Sequence, residues 1–374
     1  MKSMKYFIFP SVFYGGHEMM TIKIIIKIVE TYDINIVSYV HIKNTKLINE
    51  LRKNGLSYEL FNIKYSKFGT ISHFFKLKDA ITIISLLNKI KKRNASIILV
   101  QGSIELGANF IFWGAILKSN IKSYIPFAHS AKRLGLKYYF FREAINKVYY
   151  RLCRSYITIS ECFKKQINSY NSNAQIDVFK NFLEKDRKEV LELYNKETKN
   201  TYSDKQIINF YVVGRIVFSH KGQDIVLEAF SNYIQENNSV IDMHLHYVGD
   251  GPDFEDLIKL SQRNPVLQKK VHFHGWCEKW WELKTQPDLL IIPSLFEGVP
   301  LVMLEAINKK IPIIASAVDG MLDYLSEKSL FIPNNSHQIC SLMLKFTNEA
   351  SFRTKCVDYK VKDVSPLDKL EVFF

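Results

Sequence analysis

The chain has 374 residues, which predicts two or three domains at about 150 residues each. Apolar residues make up 47% and charged residues 24%, as in soluble globular proteins, which argues against a disordered or low-complexity chain. The net charge of +14 is unevenly spread: residues 1–185 have 29 Lys and Arg against 11 Asp and Glu, and residues 186–374 have 22 against 26. We therefore expect two domains with different partners, and an anionic partner for the first. No nucleic-acid reader motif is present, so nucleic acid is not expected.

Cysteine usage and hydropathy indicate the cellular setting. Five cysteines, an odd number without a C-x-x-C pair, argue against a disulfide framework or a zinc site and favour a reducing, cytoplasmic setting. The apolar run in residues 1–10 is too short for a signal peptide. No stretch approaches the roughly 20 apolar residues that span a bilayer. We expect a cytoplasmic protein, with peripheral attachment to the inner face of the cell membrane left open.

In chain order, short apolar runs alternate with longer segments of helical period, which predicts parallel, doubly wound sheets. The predicted strands of the first half are residues 7–10, 34–40, 97–100, 123–127 and 156–160. The pattern restarts with predicted strands at residues 207–213, 243–248, 271–273, 289–293 and 311–315. The sequence thus predicts an α/β fold of two Rossmann-like domains, 1–185 and 186–350, with a linker near 183–206. A tail, 351–374, is expected to pack back on the first domain.

Glycines and cations follow several predicted strands, where ligands bind in open α/β sheets. In the first domain, Gly15-Gly16 precede a helix-like segment at 19–29, so their backbone can approach a phosphate, or simply form a turn. In the second domain, Gly214-Arg215 end a strand and Lys221 lies where the next helix is expected to start. An arginine and a lysine so placed can converge on one diphosphate, although ordinary surface charges are an equal alternative. Gly249-Asp250-Gly251-Pro252 predict a tight strand-to-helix turn.

The strongest constellation holds two carboxylates eight residues apart, Glu297 and Glu305, across a strand-to-helix junction. With Pro300 as the first helical residue, Glu297 lies in the loop and Glu305 lies about 7 Å further along the helix axis. One carboxylate can then bind a sugar hydroxyl and the other a ribose, with a diphosphate between them. The free N–H groups that would face that anion belong to Val299, Leu301 and Val302. The alternative is an N-terminal helix charge at Glu297 and an exposed helical residue at Glu305.

Taken together, these motifs resemble the retaining nucleotide-sugar glycosyltransferases of family 4, which have a GT-B fold of two Rossmann-like domains facing across a cleft. The resemblance is dense from Asn209 to Leu325, where it also takes in Gly275, Pro293-Ser294 and Asp319-Gly320. It implies that Arg215 and Lys221 bind the donor diphosphate and stabilise the leaving group. It implies contacts of Glu297 with the donor sugar and of Glu305 with the ribose.

The same resemblance extends to the first domain and to the backbone of the donor site. It implies that His129 lies near the transferred sugar and Gly16 near the phosphates. The remaining donor-binding positions that it implies are Gly214, Gly249, Gly298, Val299, Pro300 and Leu301. The chain departs from the family pattern at Asp323, where a glutamate is usual, which leaves donor contacts there unassigned.

Two pairs of histidines have metal-like spacing but are assigned no metal. His244 and His246, like His272 and His274, share a face of a strand, yet no cysteine or carboxylate partner is apparent nearby. The chain contains no D-x-D triplet, the usual metal-binding motif of the other common glycosyltransferase architecture. We therefore expect metal-independent activity and no cofactor, with the nucleotide sugar as co-substrate.

The stretch 132–151 interleaves cations with aromatic residues. It suits a membrane surface, or equally a helix that buries its aromatic face and solvates its lysines. An anionic glycan or lipid-linked acceptor would approach this basic half. The sequence predicts a retaining glycosyltransferase of the hexosyltransferase type, acting in surface polysaccharide or lipopolysaccharide biosynthesis. The alternatives are a sugar-nucleotide epimerase or hydrolase, which needs no acceptor, and a non-catalytic basic module that binds lipid or nucleic acid.

Overall fold

The computed structural model describes residues 4–64, 76–182, 207–236, 241–360 and 369–374. The chain divides into two compact units, one formed by Met1–Asn181 with Pro366–Phe374 and the other by Phe182–Ser365. The predicted domain boundary at 185 and the predicted linker at 183–206 lie outside the described residues.

The first unit contains a seven-stranded parallel sheet with the strand order β3-β2-β1-β4-β5-β6-β7. Its strands are β1 (Met4–Phe9), β2 (Asn35–His41), β3 (Tyr58–Phe61), β4 (Ser96–Val100), β5 (Ile121–Tyr124), β6 (Ser155–Thr158) and β7 (Gln175–Val178). Its helices are α1 (Gly16–Thr31), α2 (Thr45–Lys53), α3 (Leu77–Lys92), α4 (Ala108–Ile116), α5 (Tyr139–Leu152) and α6 (Glu161–Tyr170).

The second unit contains a six-stranded parallel sheet with the order β10-β9-β8-β11-β12-β13. Its strands are β8 (Ile207–Val213), β9 (Asp242–Val248), β10 (Val271–Phe273), β11 (Leu289–Ile292), β12 (Ile313–Ser316) and β13 (Leu330–Phe331). Its helices are α7 (Phe218–Lys221), α8 (Gln223–Glu236), α9 (Phe254–Gln262), α10 (Pro265–Lys270), α11 (Leu301–Asn308), α12 (Met321–Tyr324), α13 (Ser336–Asn348) and α14 (Ala350–Lys355).

Strand burial explains why these apolar runs form parallel sheets. All four residues of Leu289–Ile292 are buried, as are all four of Ile313–Ser316, because helices cover both faces of a doubly wound sheet. The strand order reverses between β1 and β4 in the first unit and between β8 and β11 in the second. Ligands bind beyond the carboxyl ends of strands at such reversals, so the loops after β1, β8 and β11 occupy the ligand-binding edges. The predicted fold of two Rossmann-like domains is confirmed.

Three strands were missing from the sequence prediction. Tyr58–Phe61 and Gln175–Val178 lie at the edges of the first sheet and are largely half-buried or exposed, so they lack an unbroken apolar run. The third, Leu330–Phe331, has two residues, too few for any periodicity. Edge strands have one sheet neighbour, and their sequences are correspondingly less apolar.

The last described residues form a 3-10 turn, Leu370–Phe373, in the first unit. The buried ring of Phe373 packs against Tyr124 and Phe179, with ring centroids 5.4 Å and 5.0 Å apart. Lys122 Nζ donates to the Val372 carbonyl at 2.6 Å, which ties this turn to β5. Among the described helices, none has both the length and the apolar character that crossing a bilayer requires.

Candidate active site

An ion pair joins the two loops at the strand reversal of the second unit. Lys221 Nζ donates to Glu297 Oε2. The Lys221 side chain is 30% exposed and the Glu297 side chain 19%. Lys221 belongs to the loop region after β8 and Glu297 to the loop after β11. The backbone supports the same contact, because Leu295 N–H donates to the His220 carbonyl at 2.9 Å. The predicted position of Lys221 at a helix start is wrong: it ends the one-turn helix α7, and α8 begins at Gln223 after the left-handed Gly222.

Further hydrogen bonds hold the Glu297 carboxylate and backbone, one from its own loop and one from the loop after β12. Ser294 Oγ donates to Glu297 Oε2 at 3.3 Å, and Glu297 N–H donates to Asp319 Oδ2 at 3.2 Å. Asp319 is buried and has a φ of +43°, a conformation that aspartate tolerates better than most residues. Gly320 N–H donates to the Gly298 carbonyl at 3.1 Å. The sequence pattern includes Asp319-Gly320 but predicts no contact for Asp319, although its place after a buried strand is a usable signal.

Arg215 provides a second cation in the segment after β8. Its side chain is exposed, and in the part of the chain that the structure describes its guanidinium has no ion pair or hydrogen bond. The Arg215 backbone is fixed, since its carbonyl accepts from Gln223 Nε2 at 2.9 Å. Burial, reinforced by the Lys221 and Arg215 charges, lowers the pKa of His220, while Glu297 opposes that shift. Unprotonated His220 therefore adds no charge near neutral pH.

The glycines of the neighbouring loops allow close backbone approaches. Gly249 has a φ of +145°, and a Cβ there would lie 2.0 Å from the Gly214 carbonyl oxygen. A Cβ on Gly251 would lie 2.1 Å from the Ile216 carbonyl oxygen. Gly249 N–H donates to the Gly275 carbonyl at 2.6 Å. These contacts give Gly249 a structural function in holding the loop that contains Gly214, and its predicted contact with the donor stays a prediction.

The helix after Glu297 begins one residue later than predicted. Pro300 is the N-cap residue in an extended conformation, and α11 starts at Leu301, so the prediction of Pro300 as the first helical residue is wrong. Gly298, Val299 and Pro300 are buried, and Leu301 is half-buried. Because of this burial, only the backbone groups of these residues are available to bind a ligand.

Glu305 has a partner that sequence reasoning missed. The indole Nε1 of Trp280 donates to Glu305 Oε2 at 2.9 Å. Trp280 is 1% exposed, and its ring lies 6.1 Å from that of Tyr211 on β8. Glu305 is half-buried, so the alternative of an exposed helical residue is wrong. Trp280 lies in an irregular segment whose sequence contains no periodic signal, which is why this contact escaped prediction.

The predicted site residues of the first unit follow β1 and β5. Gly16 opens α1, whose first turn is closed by Gly15 N–H donating to Glu18 Oε2 at 2.9 Å. Burial raises the pKa of Glu18. His129 is 8% exposed, and its ring contacts Phe127 and Phe163 at centroid distances of 4.4 Å and 5.1 Å. Their predicted functions stay predictions.

The four histidines of the second sheet bond to one another in pairs. His244 Nδ1 lies 2.8 Å from His272 Nε2, and His246 Nδ1 lies 2.9 Å from His274 Nε2. The inference that no carboxylate lies nearby is wrong, since Asp242 Oδ2 is 3.0 Å from His244 Nε2, two residues along the same strand face. Within the described ranges, no three His, Cys, Asp or Glu side chains are grouped so as to hold a metal ion. Metal independence stays a prediction.

Comparison with known proteins finds similarity to glycosyltransferases. Residues 194–363 match the family described as Glycosyl transferases group 1. A UDP-Gal:alpha-D-GlcNAc-diphosphoundecaprenol alpha-1,3-galactosyltransferase of Escherichia coli is 35% identical over 111 residues, 30% of this chain and 28% of that protein. The matched segments span 28–40% of the length of the first curated relatives.

Solved structures extend the likeness to both units. The apo form of the lipopolysaccharide outer core galactosyltransferase WaaB has a TM-score of 0.67 at 16% identity, over 96% of this chain and 95% of that one. Anabaena Alr3699/HepE in complex with UDP-glucose has a TM-score of 0.66 at 14% identity, over 95% of this chain and 93% of that one. At these identities the likeness concerns the fold, which is the pair of Rossmann-like units of GT-B glycosyltransferases.

Proposed function

We propose that this protein transfers a hexose from a nucleoside-diphosphate sugar to an acceptor hydroxyl, with retention of the anomeric configuration. The observation that carries the proposal is the Lys221–Glu297 pair, which joins the loops after β8 and β11 at the strand reversal. A cation and a carboxylate at this edge match the two ends of a sugar diphosphate, since phosphate is anionic and sugar hydroxyls donate to carboxylates. The family match of residues 194–363 supports the same assignment.

In this proposal the main catalytic task of the site is to stabilise the diphosphate leaving group. The bond between the anomeric carbon and the β-phosphate oxygen breaks, the acceptor oxygen bonds to that carbon, and the acceptor proton leaves with the diphosphate. Fixed cations at Arg215 and Lys221 stabilise the charge that grows on the leaving group. When phosphate takes over Lys221, Glu297 is released to accept hydrogen bonds from the donor sugar. We assign Glu305 to the ribose, His129 to the vicinity of the sugar, and no protein nucleophile.

We further propose an anionic acceptor that is a glycan or is linked to lipid. The first 185 residues have 29 cationic side chains against 11 carboxylates, which favours such a partner. The E. coli relative is named for a diphosphoundecaprenol-linked acceptor. The anionic diphosphate of such an acceptor would be attracted by the excess positive charge of the first 185 residues. The corresponding process is the synthesis of a surface polysaccharide or lipopolysaccharide at the inner face of the cell membrane.

The test is thermal unfolding of the purified protein in EDTA with UDP, GDP, ADP, dTDP and CMP in turn. One nucleoside diphosphate should raise the Tm, by an amount equivalent to about 2.7 kcal/mol at a hundredfold excess over Kd. Arg215→Ala and Glu305→Ala should abolish the rise. Arg263→Ala, at an exposed arginine next to α9 in the same unit, is the matched control and should leave it unchanged.

A lack of response to every nucleotide would refute the donor site. Where a nucleotide binds, its diphosphate sugar is offered with and without acceptor. Turnover without any acceptor would identify an epimerase or hydrolase instead of a transferase. Proton NMR of the product tests retention, since an inverted anomeric configuration contradicts that part of the proposal alone.

A further inference from the structure

Helix α5 exposes aromatic side chains, for which the sequence predicts a membrane surface and a buried helix face equally. Phe140 is 78% exposed and Phe141 61%, and Tyr138 just before the helix is 73% exposed. The buried face of α5 contains Asn146, Tyr149 and Tyr150 instead. The alternative in which the whole aromatic set packs into the core is therefore wrong for the first half of the helix.

The exposed residues form one continuous stripe along α5. Positions 140, 141, 144, 147, 148 and 151 are all exposed, and their spacing of three and four residues places them on one helix face. The stripe extends about 16 Å along the helix axis. Its start is aromatic, and its second half combines Val148, which is 56% exposed, with the cations Lys147 and Arg151. We call the stripe, together with Lys137, Tyr138 and Arg154, the α5 face.

The charge on the α5 face is of one sign. Residues 130–154 contain a single carboxylate, Glu143, which accepts from the backbone N–H of Lys132 at 3.2 Å and from the Tyr170 hydroxyl at 3.3 Å. Arg142 is the cation of this helix that turns inward, where it pairs with Glu105. Across the described ranges, the side chains of Lys147, Arg151 and Arg154 have no hydrogen-bond or ion-pair partner.

The cationic end of the α5 face opens onto a polar cavity of about 760 Å³. Arg151 and Arg154 line it, together with Asn168, Ser169 and Asn173. Two guanidinium groups with amide and hydroxyl neighbours match the hydrogen-bonding needs of a phosphate diester. Rings that enter an interface and cations that meet phosphate are the two components of peripheral membrane binding.

From this arrangement we propose that the α5 face is a docking surface for an anionic lipid bilayer. Tyr138, Phe140 and Phe141 enter the boundary between headgroups and acyl chains, while Lys147, Arg151 and Arg154 contact lipid phosphates. The proposal commits to a bilayer because aromatic exposure and uncompensated positive charge coincide on one helix. It is independent of the donor site, so nucleotide binding can fail without affecting it, and the reverse also holds.

The test is co-sedimentation of the purified full-length protein with vesicles of phosphatidylcholine alone and with phosphatidylglycerol added. Wild type should bind the anionic vesicles and largely ignore the neutral ones. Phe140→Ser with Phe141→Ser should weaken binding about tenfold or more. Arg151→Gln with Arg154→Gln should weaken it about 25-fold at low salt, because each cation near an anionic surface strengthens binding about fivefold.

Matched controls come from the same unit. Leu77→Ser with Ile81→Ser removes two apolar side chains of α3 that are 77% and 64% exposed. Lys46→Gln with Lys53→Gln removes two exposed cations of α2. Both controls should bind anionic vesicles as wild type does, and circular dichroism verifies that every variant is folded.

Three outcomes would overturn the proposal. The first is a lack of sedimentation of wild type with anionic vesicles, and the second is binding of the α5 variants as tight as that of the controls. The third is self-association of wild type that Phe140→Ser with Phe141→Ser abolishes, in the absence of vesicle binding; it would identify a second copy of the chain as the occupant.

Discussion

Gly222→Ala tests how the loop that presents Lys221 is held. Gly222 follows α7 at a φ of +61°, and a Cβ there would lie 2.7 Å from the Pro293 carbonyl oxygen and 3.0 Å from Ile225 Cδ1. The Ile225 methyl can rotate away. The Pro293 carbonyl cannot recede easily, because it directly follows the buried strand β11, which pairs with β8 and β12. We therefore expect the loop after β8 to move, and Lys221 with it.

The expected loss in the free energy of unfolding has two parts, which a comparison with Gly275→Ala separates. Gly275 has nearly the same φ, +65°, but a Cβ there would meet nothing within 4 Å. Both substitutions incur the left-handed backbone penalty of about 1–2 kcal/mol. Gly222→Ala adds a steric term of about 1–3 kcal/mol. We expect it to lower the free energy of unfolding by about 2–5 kcal/mol, against about 1–2 kcal/mol for Gly275→Ala.

Urea unfolding of the two variants beside wild type measures the difference. Thermal unfolding gives a second measure, because a loss of 1 kcal/mol lowers the Tm of a unit of this size by about 2–4 °C. The Tm of Gly222→Ala should therefore be clearly the lower of the two. Nucleotide affinity, measured by calorimetry, should fall in Gly222→Ala because Lys221 is displaced. Equal destabilisation of both variants would refute the reasoning from the Pro293 contact.

Two further predictions concern Trp280 and His246. Trp280→Phe keeps the buried ring but removes the N–H that orients Glu305, so calorimetry should show about tenfold weaker binding of the ribonucleotide and little change for its 2′-deoxy counterpart. An equal loss for both nucleotides contradicts the orienting function. Burial, and after it the charges of the neighbouring histidines, lowers the pKa of His246 to about 3. Below about pH 6.5, His246 is therefore protonated in the unfolded chain and neutral in the folded chain. The contribution of His246 to the free energy of unfolding should therefore fall by about 2 kcal/mol between about pH 6.5 and about pH 5, and His246→Gln should reduce the slope measured in urea titrations by that contribution.

The meeting of Lys221 and Glu297 was accessible to sequence reasoning, although 76 residues separate them. Each follows a buried apolar strand, and the carboxyl ends of parallel strands meet at one edge of the sheet. The bond between Trp280 and Glu305 was not accessible in this way. Trp280 belongs to a short 3-10 turn, Trp280–Glu282, whose position depends on tertiary packing against Tyr211 and not on any local repeat. A contact between two side chains can therefore be predicted where strand ends determine the positions of both residues. It cannot be predicted where one residue lies on irregular backbone.

The α5 face shows a different limit, because part of it follows from helical geometry alone. The pair Phe140-Phe141 and the pair Tyr149-Tyr150 are nine residues apart, which is two and a half turns, so the two pairs point to opposite sides of one helix. If one pair is buried, the other must face outward or meet another partner. The sequence could not decide which, since the choice depends on packing such as the stack of Tyr150 on Tyr170 at 4.6 Å. Burial of the tyrosines leaves the phenylalanines exposed among cations, and this exposure is the observation on which the proposed contact with an anionic bilayer rests.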